Sequence, residues 1–264
     1  MTDASLPCAV DHRGVATVTL NRPELHNAFD DALIAALHAA FDDLRRRADV
    51  RVLVLAGAGK SFCAGADLNW MRRMGEADPA VNEAGALAMA AMFEALDTLP
   101  CVTVARVHGA AFAGATGLIA ACDVAIAAED TRFAISEVRI GIAPATIAPY
   151  VLAAMGPRAA RRYWLTGERF DAAEAARIGL VHAAVPAADL DAAVAAVVAQ
   201  ALQNGPGALK ACKALIRATA GPVTEEVRRE TAARIAALRA TPEGREGLAS
   251  FLEKRRPAWL AGGA

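Results

Sequence analysis

Short apolar runs separated by a helical pattern constrain this chain more than any other feature. Val15–Leu20 reads VATVTL, Val52–Leu55 reads VLVL and Val102–Ala105 reads VTVA, each followed by a polar or glycine-rich turn. Branched, short apolar segments bounded in this way predict strands. Between the first two, Leu33, Ala36, Leu37, Ala40, Phe41 and Leu44 fall at helical spacing within Asp30–Arg47, and Asp30 is placed to cap the start. This predicts an amphipathic crossover helix. Strands alternating with helices fold as a parallel sheet with right-handed connections, an α/β architecture. From Ala187 to Trp259 the pattern becomes helix after helix, broken at Gly205-Pro206, Gly221-Pro222 and Thr241-Pro242. The expected organisation is an α/β core over residues 1–200 and a helical region over residues 201–264.

Composition narrows the function classes. Among 264 residues, 28 Lys and Arg nearly balance 29 Asp and Glu, and 55% are hydrophobic. That excludes a disordered chain and a strongly basic nucleic-acid binder. The five cysteines, Cys8, Cys63, Cys101, Cys122 and Cys212, form no CxxC pair and sit with no histidine cluster, so neither a zinc site nor a disulfide framework is expected. The first residues lack the basic-then-apolar order of a signal peptide, which predicts a cytoplasmic protein. The uncharged run Val107–Cys122 is 16 residues long and rich in glycine. It is too short to span a bilayer, which takes about 20 residues, and no membrane partner is expected.

Two glycine-bearing segments follow strands. The first, Ala56–Leu68, reads AGAGKSFCAGADL. A phosphate loop would need glycine where Val54 stands, and a dinucleotide fingerprint would need other spacings than those of Gly57, Gly59 and Gly65. The second, His108–Asp123, places Gly109, Gly114 and Gly117 before or within a small-residue helix. Glycine lets a ligand approach the backbone closely, and a helix start presents unpaired N–H groups with positive potential. Two such loops converging would set two backbone donors around one oxygen, an oxyanion hole built without side chains.

Six segments in order carry a family resemblance: LNRPELHNAF (Leu20–Phe29), SFCAGADL (Ser61–Leu68), HGAAFAGATGL (His108–Leu118), FAISEVRIGIAP (Phe133–Pro144), RFDAAEAARIGLV (Arg169–Val181) and FLEKRRPAW (Phe251–Trp259). With them the chain resembles the crotonase superfamily, the enoyl-CoA hydratase/isomerase family, over nearly its whole length. The resemblance implies a spiral of ββα units with a C-terminal helical trimerisation region, assembling as a homotrimer or homohexamer. It implies an acyl-CoA substrate and no separate cofactor, coenzyme A being part of the substrate.

Matched residue by residue, the resemblance puts the oxyanion donors on the backbone N–H groups of Ala66 and Gly114 and the catalytic carboxylate on Glu137. Burial in a partly apolar pocket would raise the Glu137 pKa toward the value that suits proton exchange near neutrality. Coenzyme A contacts are implied for Glu24, His26 and Ala28, for Ala64, Gly65, Asp67 and Leu68, and for Phe251 and Lys254 near the C-terminus, often from a neighbouring subunit. Lys254 is one of only four lysines. Some relatives carry lysine where Glu24 stands, a contact that Lys60 could replace. Trp70, Met71, Arg72, Arg73 and Gly117 are candidates for the acyl pocket; core packing accounts equally well for Trp70 and Met71, and a solvated helix face accounts better for Arg72 and Arg73. His26, His108 and His182, and Cys63 and Cys122, read as structural.

One departure bears on the reaction. Two-glutamate hydratases of the family carry their second glutamate three residues after the oxyanion glycine, where this chain has Gly117. Three readings stay open: a hydratase in which Glu137 alone orients water, a Δ3,Δ2-enoyl-CoA isomerase in which Glu137 moves a proton between carbons, and a non-catalytic acyl-CoA-binding protein. SEVRIGIAPATIAPY (Ser136–Tyr150) resembles the methylglutaconyl-CoA hydratase subgroup of leucine and branched-terpenoid breakdown, whose substrates bear a distal carboxylate that Arg72 or Arg73 could hold.

Overall fold

A computed structural model gives the structure of residues 4–260. Strands β1 (Cys8–Val10) and β2 (Val15–Leu20) form an antiparallel pair, and helix α1 (Asp31–Arg46) crosses over to β3 (Val52–Gly57). Helices α2 (Leu68–Glu76) and α3 (Pro79–Asp97) lead to β4 (Val102–Val107), β5 (Ala110–Phe112) and α4 (Gly114–Ala121). Strands β6 (Val124–Ala128) and β7 (Arg132–Ala134) precede α5 (Ala148–Thr166), β8 (Arg169–Asp171), α6 (Ala172–Arg177) and β9 (Ala183–Val185). Four helices follow: α7 (Leu190–Leu202), α8 (Pro206–Ala218), α9 (Glu225–Ala240) and α10 (Pro242–Leu252).

The predicted strands lie in one six-stranded sheet of order β1-β2-β3-β4-β6-β9, parallel apart from β1. Helix α1 has the expected span, and the Asp30 carboxylate accepts the Leu33 N–H at 2.9 Å as its cap. Residue alternation splits the sheet between two cores. Val15, Val52, Val54 and Val104 face Leu190, Val194 and Val198 of α7. Ala16, Val18, Leu20, Leu53 and Leu55 face the larger core, which Leu33, Leu37, Phe41 and Leu44 of α1 close from the other side. A second sheet, β5-β7-β8, has three-residue strands. Such strands are too short to register as period-two alternation, and periodicity alone does not reveal them.

The helical C-terminal region is anchored by one buried cation. Lys213 of α8 donates from Nζ to the Cys101 carbonyl at 2.9 Å and to Asp123 Oδ2 at 2.6 Å. The same carboxylate oxygen accepts the Thr103 N–H at 2.7 Å and the Thr103 hydroxyl at 3.0 Å. Every partner is satisfied, so the charge is tolerated inside only while both members stay. Lys213→Ala is expected to lower stability by about 2 kcal/mol, on the low side for such a pair because Asp123 is partly exposed. Urea denaturation would read this as a lower midpoint at unchanged slope; a wild-type midpoint contradicts the anchoring role.

Candidate active site

Three parallel segments bring the chemistry to one edge. Cys63 pairs with Ala111, and Ala111 of β5 pairs with Phe133 of β7, so the three lie side by side and run the same way. A few residues beyond these partners come Ala66, Gly114 and Glu137. Strand register therefore delivers the three principal candidates of the sequence to neighbouring exits.

The first donor loop is held by the segment before α1. The Asn27 side chain, fully buried, donates to the carbonyls of Ala58 (2.9 Å), Ser61 (2.8 Å) and Phe62 (3.1 Å), and its Oδ1 accepts the Arg22 N–H at 2.8 Å. His26 and Asn27 both adopt the left-handed conformation, with φ of 50° and 57°, which turns the chain so that the buried amide meets all four partners. Further along, Ala64 N–H donates to His26 O at 2.9 Å, Phe29 N–H to Gly65 O at 2.7 Å, and Asp67 N–H to Phe29 O at 2.7 Å. Ala66 lies between these bonds, and its N–H has no partner among the described residues.

The second donor opens α4. Gly114 is the first residue of that helix, and its N–H is likewise unpaired among the described residues. Before it, Ala113 holds φ 49° and ψ −119°, a conformation that costs a residue with a Cβ about 1–3 kcal/mol. Ala113 is fixed on both sides: its N–H donates to Ala134 O at 2.8 Å, and its carbonyl accepts from the Thr116 N–H at 2.8 Å and the Thr116 hydroxyl at 2.7 Å.

Glu137 begins a 3₁₀ turn, Glu137–Ile140, after β7. It is half-buried, and its Oε2 is enclosed with no hydrogen-bond partner among the described residues. Burial raises its pKa above the ordinary carboxylate value, opposed in part by the backbone N–H groups of Glu137 and Ser136. A partly desolvated carboxylate with one oxygen unpaired is costly to the fold and suited to taking up a proton.

The space beside Gly117 is filled. A Cβ on Gly117 would come within 2.9 Å of Ile147 Cβ and 2.9 Å of Phe93 Cε1, and closer still to Ile147 Cγ2. Ile147 and Phe93 are both buried. The chain therefore lacks a second carboxylate here and also the room for one.

The other sequence candidates are spread around this edge. Ala28 is buried in the segment that holds the first loop, while Glu24 and Leu68 are exposed. His26 Nδ1 lies 3.0 Å from the Ser61 hydroxyl. The Asp67 carboxylate caps α2 through the N–H groups of Asn69 and Trp70. Trp70 packs on the core and donates Nε1 to Asp31 at 2.6 Å, Met71 is half-buried, and Arg73 reaches back to Asp31 at 2.9 Å. Arg72 is exposed and has no side-chain partner among the described residues. Phe251 and Lys254 stand exposed at the end of α10, whose main packing partner is α9. Asn27, Ala113, Thr116 and Ile147 were not singled out by sequence reasoning; of these, Asn27 and Thr116 are polar residues inside quoted motifs, which is the signal that could have found them.

The chain matches the family model described as enoyl-CoA hydratase/isomerase over residues 11–262. A crystal structure of an enoyl-CoA hydratase from Shewanella pealeana superposes with a TM-score of 0.94 at 42% identity, covering 97% of this chain and 96% of that one. An enoyl-CoA hydratase structure from Mycobacterium smegmatis gives 0.92 at 36% identity, with 98% and 100% covered. A Thermus thermophilus protein provisionally named an enoyl-CoA hydratase is 36% identical over 94% of this chain and 98% of its own length.

Two outcomes follow from the geometry. Gly117→Ala is expected to destabilise the protein by about 1–3 kcal/mol through overpacking against Ile147 and Phe93, measured by thermal denaturation. Because the folded Glu137 pKa is raised, the folded state holds that proton more tightly, and its stability falls as pH rises from the unfolded value of 4.5 through the folded one. Glu137→Gln is therefore expected to melt above the wild type at neutral pH, with the difference vanishing below pH 4.5. Equal melting at both pH values contradicts the buried carboxylate.

Proposed function

Because the chain belongs to the enoyl-CoA hydratase/isomerase family, we propose that it is a hydratase that adds water across the 2,3 double bond of an acyl-CoA thioester. The observation that carries this reading is the pair of unpaired N–H groups, Ala66 and Gly114, at the same sheet edge as the desolvated Glu137 carboxylate.

In this reading the thioester carbonyl oxygen sits between the two donors. The Glu137 carboxylate takes a proton from water as the water oxygen bonds to C3, and the π electrons move onto the thioester oxygen as an enolate. The two N–H groups stabilise that charge more than the neutral carbonyl, a differential effect of the kind worth about 10²- to 10³-fold per donor. Glu137 then gives its proton to C2, which returns the carboxylate and completes the addition. Its raised pKa narrows the gap between the two proton transfers.

The Δ3,Δ2-isomerase is the second reading, and the apolar filling beside Gly117 favours it. With Ile147 and Phe93 where a second carboxylate would stand, a single group moving one proton between C4 and C2 would suffice. On the acyl side we infer a methylglutaconyl-like substrate of branched-chain breakdown, its distal carboxylate met by Arg72, which, unlike Arg73, has no side-chain partner among the described residues. A trimer or hexamer accords with the exposed Ile216, Val223, Ile235, Leu248, Phe251 and Leu252 on and around the C-terminal helices.

Incubation with crotonyl-CoA, 3-hexenoyl-CoA and 3-methylglutaconyl-CoA, followed by the absorbance of the 2,3-enoyl thioester, separates the readings. Decay with the first or third is expected for a hydratase, and a rise with the second for an isomerase; no change with any of them leaves the binding-protein reading. Glu137→Gln should lower turnover by about 10²- to 10⁴-fold while the ester still binds, and undiminished activity would remove Glu137 from the mechanism. Arg72→Ala should raise KM for 3-methylglutaconyl-CoA alone.

A further inference from the structure

We propose that Thr116 is a positioning residue whose hydroxyl holds the Ala113–Gly114 peptide with its N–H turned toward the site, against a flip that the Ala113 backbone would otherwise favour. The inference rests on the reading of Gly114 as an oxyanion donor. A trans peptide is planar, so its carbonyl and N–H point in opposite directions, and whatever fixes the Ala113 carbonyl fixes the Gly114 N–H. That carbonyl is held twice by one residue, through the Thr116 N–H at 2.8 Å and Oγ1 at 2.7 Å. Thr116 is fully buried, so no water competes for the bond.

The alternative state can be written down from the dihedrals. Ala113 sits at φ 49° and ψ −119°, a region that side chains with a Cβ avoid. Rotating the 113–114 peptide by half a turn moves ψ to about +60° and leaves φ unchanged, which lands in the left-handed region that such residues tolerate better. Glycine at 114 accepts the matching change in its own φ at no steric cost. The flipped peptide would present a carbonyl oxygen where the N–H now points, placing like charge against a developing oxyanion. Helical threonines commonly bond a carbonyl one turn back. The difference here is that the carbonyl accepted upon belongs to the strained residue immediately before an unpaired N–H. The hydroxyl also polarises that peptide, which strengthens its N–H as a donor.

Thr116→Val keeps the shape and removes the hydroxyl. It is expected to lower kcat/KM about tenfold, mainly through kcat, for loss of one hydrogen bond felt in the transition state. Thr116→Ser should recover most of the loss, and Ala113→Gly combined with Thr116→Val should recover part of it, because glycine removes the drive to flip. The infrared carbonyl stretch of bound butyryl-CoA, a saturated ester that cannot turn over, supplies a readout apart from activity. It should move to lower frequency on wild-type protein and move less on Thr116→Val, with melting temperatures confirming that both are folded. A full wild-type shift on folded Thr116→Val overturns the proposal and leaves the oxyanion hole standing. No shift even on the wild type overturns the hole and this proposal with it. If Thr116→Val fails to fold, the comparison passes to Thr116→Ser against Thr116→Ala, where equal shifts overturn it.

Discussion

The chemistry of this fold depends on where carbonyls are tied, since a planar peptide aims its N–H by fixing its oxygen. Gly65 O is taken by the Phe29 N–H and Ala113 O by Thr116, which leaves Ala66 and Gly114 as donors facing away from their own anchors. Neither anchor is a reacting group. Both come from elements whose placement follows from the sheets: the segment entering α1 and the first turn of α4. The large apolar core beneath them, from Phe29 and Phe62 to Phe93 and Phe133, gives that placement its rigidity.

Legibility in the sequence followed the range of the interaction. Strand β2, helix α1 and the Asp30 cap are set by neighbours within a few residues, and their letters announce them. The breaks at Gly205, Gly221 and Thr241 mark where the C-terminal helices begin or end for the same reason. The second sheet is different, because β5, β7 and β8 owe their existence to each other across long stretches of chain. Asn27 illustrates the same limit: three of its four bonds close only when the loop at 58–62 is already in place. Glu137 and the two glycine loops became candidates through motif resemblance, since nothing in periodicity distinguishes a functional alanine or glycine from a packing one.

Cost and use coincide at the candidate site. Ala113 is strained, one oxygen of the Glu137 carboxylate is enclosed without a partner among the described residues, and the N–H groups of Ala66 and Gly114 find none there either. Elsewhere the chain satisfies its buried charge with care, as Lys213, Asp123, Thr103 and the Cys101 carbonyl show. Arg51 Nε, Thr131 Oγ1 and Trp164 Nε1 are also buried without a partner among the described residues, so what sets the candidate site apart is the coincidence of backbone strain, an unpaired carboxylate oxygen and unpaired N–H groups.

The filled space beside Gly117 has a bearing on descent. A carboxylate at that position needs both Ile147 and Phe93 to give way, and shrinking either alone opens a cavity in a packed interior. Each step is unfavourable without the others, so the route between a one-carboxylate and a two-carboxylate site crosses a valley that residues on separate segments of the chain must cross together. Lineages on either side of that valley would drift in substrate and loop sequence far more readily than they would exchange the number of acids at the centre.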